Sequence, residues 1–197
     1  MKPKKLNIIK AAEKRFTRHG VKKTTLNEIA RDLRLAKPSL YHYFKSKEAL
    51  WFAVLDNQIN EFIAAIKEIF ENTSLSHEEK ITAYLKEKAS FPTRFSLIFA
   101  LFENIFKPFP LEEEITVIRK LLEKEENALA RYFESRGKGK KGEVPGELKS
   151  FVRLGHAVGL VELIENKLLG VETPSSLESA ITLLQYRLTA EPPPENN

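Results

Sequence analysis

Apolar residues along this chain recur every three or four positions, the spacing of one face of an α-helix, and neither an alternating apolar and polar run nor an Asn-Gly pair signals a β-hairpin. Leu6, Ile9, Ala12 and Phe16 form a first stripe that stops at Gly20, a residue suited to the left-handed backbone that ends many helices. Thr25-Leu26-Asn27-Glu28 has the spacing of a capping box: the Thr25 hydroxyl can accept the amide three residues on while the Glu28 carboxylate reaches back. Ile29, Ala30 and Leu33 follow on one face, so a second, short helix starts there. Pro38 suits the first turn of a third helix, running to about Phe44, because the N–H it lacks would have had no partner. Ser46 caps a fourth, whose apolar positions are Leu50, Val54, Leu55, Ile59, Phe62, Ile63, Ile66 and Phe70.

Further helix starts are marked by Ser76-His77-Glu78-Glu79 and Ser175-Ser176-Leu177-Glu178, and breaks by Pro92, Pro108 and Pro110. The run from Gly137 to Gly142, followed by Pro145-Gly146, reads as a loop, and the proline-rich end of the chain as a solvated tail. The expected class is all-α with about nine helices: a small three-helix unit over residues 1–47, a larger helical unit over 48–190, and the tail over 191–197.

Composition narrows the functional classes. The 197 residues include no Cys, which removes disulfides, thiolate nucleophiles and iron–sulfur clusters. The apolar stretches are too short to cross a bilayer, so a cytoplasmic protein with no membrane partner is expected. The overall charge of +5 hides its distribution. Residues 1–47 hold 14 Lys and Arg against Glu13, Glu28 and Asp32, a net +11, whereas the remainder holds 18 basic and 24 acidic residues, a net −6. A basic unit joined to an acidic one points to a polyanion at the N-terminal end, although lysines also serve as a plain solvated face.

Two short helices joined by a tight turn need a small residue at their crossing and apolar inner faces. Ala30 with Ile29, Leu33, Leu35, Leu40 and Tyr43 supplies both. This is the pattern of a helix-turn-helix, whose second helix enters the major groove of duplex DNA. On a helical wheel Leu40, Tyr43 and Phe44 face inward and Pro38, Tyr41, His42 and Lys45 outward, with Ser39 on the flank. Lys37, Ser39 and Tyr41 are candidates for contacts at or beside the bases. Lys22, Lys23 and Lys47 lie before and after the helices as phosphate contacts, and the free amides at the Thr25 helix start offer another.

Gly20-Val21, Thr24-Thr25-Leu26-x-Glu28-Ile29-Ala30 and the run from Leu40-Tyr41-His42-Tyr43-Phe44 through Lys45-Ser46-Lys47-Glu48-Ala49-Leu50 resemble the DNA-binding domain of TetR-type transcriptional repressors, over residues 6 to 50 without a gap. The resemblance implies that Thr25, Tyr41 and Lys47 touch the DNA backbone and that Lys37, Pro38 and Ser39 read or flank bases. Thr24 and His42 fall within the same matched segments and complete the candidate set; His42 as a surface residue with no role stays an open reading. The sequence departs from the pattern at Arg34, where the turn usually holds Gly. A left-handed Arg there costs on the order of 1 kcal/mol.

In the larger unit, six of the 13 Phe lie between Phe91 and Phe109, and Phe95, Phe99, Phe102 and Phe106 recur at helical spacing. Two readings stay open, ordinary core or the wall of an apolar cavity. The resemblance implies a small-molecule effector among these helices, and the phenylalanines favour an apolar or amphipathic one. Tyr84, Arg94, Glu103, Asn104 and His156 are the polar groups that would orient it. The stretch from Leu148 to Leu169 is apolar on nearly every face and needs a partner. Gly155 and Gly159 permit close helix approach, while Leu177, Ile181, Leu184 and Leu188 stripe the last helix. With Phe151, Val158 and Glu162 they form the expected interface of a two-fold homodimer built as a four-helix bundle, which the resemblance also implies.

The sequence has no Glu-x-x-His pair, His-Glu-x-x-His, Gly-rich phosphate loop or Gly-x-Ser-x-Gly elbow, so catalysis, a metal and a cofactor are not expected. The resulting expectation is a sequence-specific regulator, a repressor released from double-stranded operator DNA by its effector. Two alternatives stay open: a non-specific nucleic-acid-binding protein held by counterion release alone, and a helical carrier or enzyme for apolar small molecules.

Overall fold

The computed structural model describes residues 3–104, 111–135 and 152. Phe106, Phe151, Gly155, His156, Val158, Gly159, Glu162, Leu177, Ile181, Leu184 and Leu188 lie outside them, as do the expected loop after Gly137 and the tail. Among the described residues there are seven helices and no strand: α1 Pro3–His19, α2 Leu26–Asp32, α3 Lys37–Tyr43, α4 Lys47–Glu71, α5 His77–Arg94, α6 Ser96–Asn104 and α7 Glu112–Ser135. They group into two units, one of residues up to Glu61 with Phe95–Ile118, the other of Phe62–Arg94 with the described residues from Arg119 on.

The first unit is assembled from local signals. Gly20 ends α1 with φ 78°, its amide donating to the Phe16 carbonyl at 2.9 Å, and no atom crowds its Cα, so backbone conformation alone requires the glycine. The capping box at α2 is present in full: the Glu28 amide donates to Thr25 Oγ1 at 3.3 Å and the Thr25 amide to Glu28 Oε2 at 2.8 Å. The turn between α2 and α3 closes by two bonds, Leu35 N–H to the Ala30 carbonyl at 2.8 Å and Arg34 N–H to the Arg31 carbonyl at 3.0 Å. That is a Schellman motif with Arg34 as its left-handed residue at φ 52°. Pro38 sits in the first turn of α3, and Ser46 Oγ accepts the Ala49 amide at the start of α4.

These caps hold the helices so that one core forms from Ile8, Ile9, Ala12, Phe16, Leu26, Ile29, Ala30, Leu40, Phe44, Leu50 and Val54. The first stripe is thus displaced slightly from the sequence expectation, with Ile8 fully buried and Leu6 only half-buried. Phe16 meets the Trp51 ring edge-on at 5.6 Å, a geometry adding about 0.5–1.5 kcal/mol beyond area burial. Leu97 packs on the same core and α6 lies against α1.

In the second unit Ser76 and Glu79 cap α5 reciprocally, as their spacing predicts. Pro92 does not break this helix, contrary to expectation; α5 runs to Arg94, because a proline so near the C-terminal end forfeits little of the hydrogen-bond ladder. Phe62 meets Phe91 at 4.7 Å, and Phe70 stacks on Tyr132 at 4.4 Å. Among the described residues no helix is long and apolar enough to cross a membrane.

Candidate nucleic-acid interface

Seven residues make α3, and only Leu40 among them is fully buried. Lys37, Pro38, Ser39 and His42 are exposed, as is Lys45 just beyond, and this surface carries no acidic side chain. Tyr41 and Tyr43 are both half-buried against the core, so the wheel's division of the two tyrosines is softer than expected. A short helix lying on a small core leaves its flanks partly covered. The Lys37 ammonium stands 5.7 Å from the centre of the Tyr41 ring, and His42 meets Tyr43 edge-on at 5.5 Å.

The three acids of the basic segment all have partners outside α3. Arg15 of α1 bridges to Asp32 and, at 3.4 Å, to Glu28, while the Glu13 carboxylate accepts the amide of Gln58. The Arg15 hydrogen bond holds the Asp32 carboxyl below its usual range, and the Thr25 amide does the same for Glu28, followed by the Thr25 hydroxyl. Both acids therefore stay ionised and compensated, Asp32 by Arg15 and Glu28 by the cap and Arg15, while residues 37–45 carry no acid at all.

Beside α3 lies a shallow depression of about 280 Å³ lined by Thr24, Thr25, Leu26, Asn27, Tyr41, Lys45, Ser46 and Lys47. It brings the start of α2, where the capping box takes the Thr25 and Glu28 amides but the helix gives those of Leu26 and Asn27 no partner, next to Tyr41, Lys45 and Lys47, a combination suited to a phosphate. Lys47 Nζ donates to the carbonyls of Val21 at 3.1 Å and Lys22 at 3.5 Å, pinning the loop before α2 to the start of α4. Thr24 is fully buried and its hydroxyl donates to the Gly20 carbonyl at 2.9 Å. Lys22 and Lys23 are exposed on that loop. Asn27 and Lys45 join the depression although neither was among the candidate contacts; Asn27 lies inside the capping-box motif and Lys45 faces outward at the end of α3, which are the signals that could have found them.

A model of bacterial regulatory proteins of the tetR family matches residues 8–54, the span that contains this whole arrangement. Over residues 8–54 the chain carries a DNA-binding segment of the TetR type. It is 34% identical over 71 residues to the HTH-type transcriptional regulator SAB2452 of Staphylococcus aureus, an alignment covering 36% of this chain and 38% of that one. The chain thus spans little more than a third of that relative's length. A longer alignment, 27% identical over 159 residues, covers 78% of this chain and 80% of the HTH-type transcriptional regulator YhgD of Bacillus subtilis. Among solved structures, a transcriptional regulator from Cytophaga hutchinsonii superposes with a TM-score of 0.66 at 26% identity, covering 91% of this chain and 93% of that one.

The candidate effector residues fall in different units. Phe95, Phe99 and Phe102 are buried in the first, with the Phe99 and Phe102 rings 6.1 Å apart. Tyr84 and Arg94 belong to the second; Tyr84 is fully buried, whereas Arg94 is half-exposed and paired with Glu87. The Tyr84 hydroxyl donates to Glu125 Oε1 at 2.7 Å, and Lys88 Nζ donates to the same oxygen. Lys88 and Glu125 escaped sequence reasoning, yet both occupy positions within apolar stripes: Ile81, Tyr84, Leu85 and Phe91 around the first, Leu121, Ala128 and Leu129 around the second. A charge on the core face of an amphipathic helix is the signal that marks them. A separate cavity of about 220 Å³ in this unit is lined by Lys67, Phe70, Glu71, Ala128, Arg131, Tyr132 and Ser135. Among the described residues no three His, Asp or Glu gather to hold a metal.

Proposed function

We propose that the chain is a sequence-specific DNA-binding regulator, a repressor that acts as a homodimer and leaves its double-stranded operator on binding a small apolar or amphipathic molecule. The observation that carries this reading is the outer face of α3, where Lys37, Pro38, Ser39 and His42 are exposed with no acid among them and the phosphate-sized depression lies alongside. Residues 1–47 serve as the reading domain and residues 48–190 as the effector and dimerisation domain. Two reading domains grip successive major grooves about 34–36 Å apart on one face of the duplex. Lys37 and Ser39 meet base edges; Lys22, Lys23, Lys47, the Thr25 helix start and Tyr41 hold phosphates and orient the helix without reading sequence. An effector acts by preferring the conformation with the wrong spacing, and shifts the population only as far as its affinities for the two states differ. The match of residues 8–54 to tetR-family regulatory proteins supports this reading.

The test is selection of preferred duplexes from a random pool, followed by titration of variants. Substituting Lys37 or Ser39 by Ala should relax preference at particular base pairs. Substituting Lys22 and Lys23 should weaken all duplexes alike and reduce the salt slope. A second reading, non-specific binding through counterion release, draws on the +11 charge of residues 1–47. It would replace the first if selection enriches no sequence.

A further inference from the structure

Gln58 of α4 is 2% exposed, although its neighbours on the same helix face are the fully buried Val54, Leu55, Ile59 and Phe62. Both ends of its amide are used. Oε1 accepts the backbone N–H of Ile98 at 3.1 Å, and Nε2 donates to Glu13 Oε1 at 2.6 Å. Ile98 lies in the first turn of α6, where backbone amides have no partner within the helix, and it is fully buried. The residue preceding α6 is Phe95, whose side chain cannot cap. Gln58 therefore supplies from another helix the acceptor that a serine or aspartate would ordinarily supply locally. Its other end is committed to α1, and swapping the amide end for end would break both bonds.

We infer that Gln58 is a latch through which the first turn of α6 holds α1 on α4, making it a positioning residue for the DNA-reading helix. This rests on the reading of α3 as that helix. α1 packs on α2 and α2 on α3, so what fixes α1 fixes the orientation of α3. Along the chain Phe95 alone separates α5 from α6. Withdrawing α6 by more than a hydrogen-bond length strands a buried amide N–H and a buried carbonyl together, which makes the change abrupt. The latched protein presents α3 in one orientation; the unlatched one spreads over several, and its apparent DNA affinity falls by the fraction still competent.

The latch has a charge-reversed equivalent that keeps both bonds. In Gln58→Glu combined with Glu13→Gln, the new carboxylate accepts from Ile98 N–H and from the side-chain amide at position 13. The experiment compares four full-length proteins, wild type, Q58E, Q58L and the exchange variant, by titration with a duplex selected by the wild type and by amide hydrogen exchange. Q58E, which sets two carboxylates together, and Q58L should each weaken binding roughly tenfold, the size of one charge-assisted hydrogen bond. The exchange variant should return to within about twofold of wild type. In Q58L the protection of Ile98 and of the α1 amides around Glu13 should fall together. Wild-type affinity in Q58L and Q58E overturns the inference, as does an exchange variant that is as thermostable as wild type yet still binds weakly. If the wild type selects no duplex, the proposed function fails, and the latch is decided by exchange alone: joint loss in Ile98 and α1 supports it, and loss confined to Ile98 overturns it.

Discussion

Replacing Glu125 by Gln leaves the Lys88 ammonium without its carboxylate in the interior of the second unit. The two side chains are 0% and 6% exposed and in contact at 2.5 Å. At an effective dielectric of ~20, unit charges that close attract by roughly 6–7 kcal/mol, against a desolvation cost of several kcal/mol for each ion. The pair is thus close to balanced as a whole, and removal of one member exposes the full penalty of the other. Burial already pushes the Lys88 ammonium below its usual range, with Glu125 pulling the other way, and burial pushes the Tyr84 hydroxyl well up. Glu125→Gln should therefore destabilise the protein by about 3–5 kcal/mol, as should Lys88→Met, which leaves the carboxylate its Tyr84 hydroxyl but no cation. The double variant Lys88→Met with Glu125→Leu, carrying Tyr84→Phe so that no buried hydroxyl loses its acceptor, should recover most of the loss or exceed wild type by about 1–4 kcal/mol. Urea unfolding at neutral pH reads this as shifts in midpoint at constant slope. Single variants within about 1 kcal/mol of wild type, or a double variant as unstable as the sum of the singles, would refute the reasoning.

Arg34→Gly should leave stability unchanged or raise it by about 0.5 kcal/mol, because relief of the left-handed backbone slightly outweighs the added freedom of the unfolded chain, while the β-branched Arg34→Val should cost more than about 1 kcal/mol; both are read by thermal unfolding. Gly20→Ala should cost about 1 kcal/mol from its φ alone, since nothing obstructs a Cβ there, and a loss several times larger would mean that contacts rather than conformation set the price. Glu28, Asp32, Glu48 and Glu79 all have carboxyl groups held below their usual range, Glu28 and Glu79 first by cap amides and Asp32 first by Arg15. A carboxylate with a depressed pKa adds stability that is complete above its unfolded value and lost as pH falls through the folded one. The melting temperature should thus decline on acidification through and below the ordinary carboxylate range, and Glu28→Gln should flatten part of that decline.

Much of the helical framework was legible where its determinants are local. Thr25 with Glu28, Ser76 with Glu79, Gly20 at the end of α1 and Pro38 at the start of α3 each act within a few residues of chain, and geometry at that range follows from sequence order. Arg34 shows the limit of a residue-type rule: the left-handed turn persists without glycine, since the bonds to Ala30 and Arg31 outweigh a strain of on the order of 1 kcal/mol. The buried polar residues were less legible, for their partners lie far along the chain. Gln58 is 45 residues from Glu13 and Lys88 is 37 from Glu125, so sequence pattern reveals a polar residue on a core face without saying what answers it. The phenylalanine stripe was readable as buried, and its grouping with α1 was not, because helix packing partners are chosen by tertiary contact.

The central claim, that α3 reads sequence, is tested most directly by titrating the full-length protein with a selected duplex and a scrambled duplex of equal length across a salt series. The selected duplex should be preferred by at least about a thousandfold, and the preference should persist as salt rises even though both affinities fall. Equal affinities at every salt concentration would contradict it.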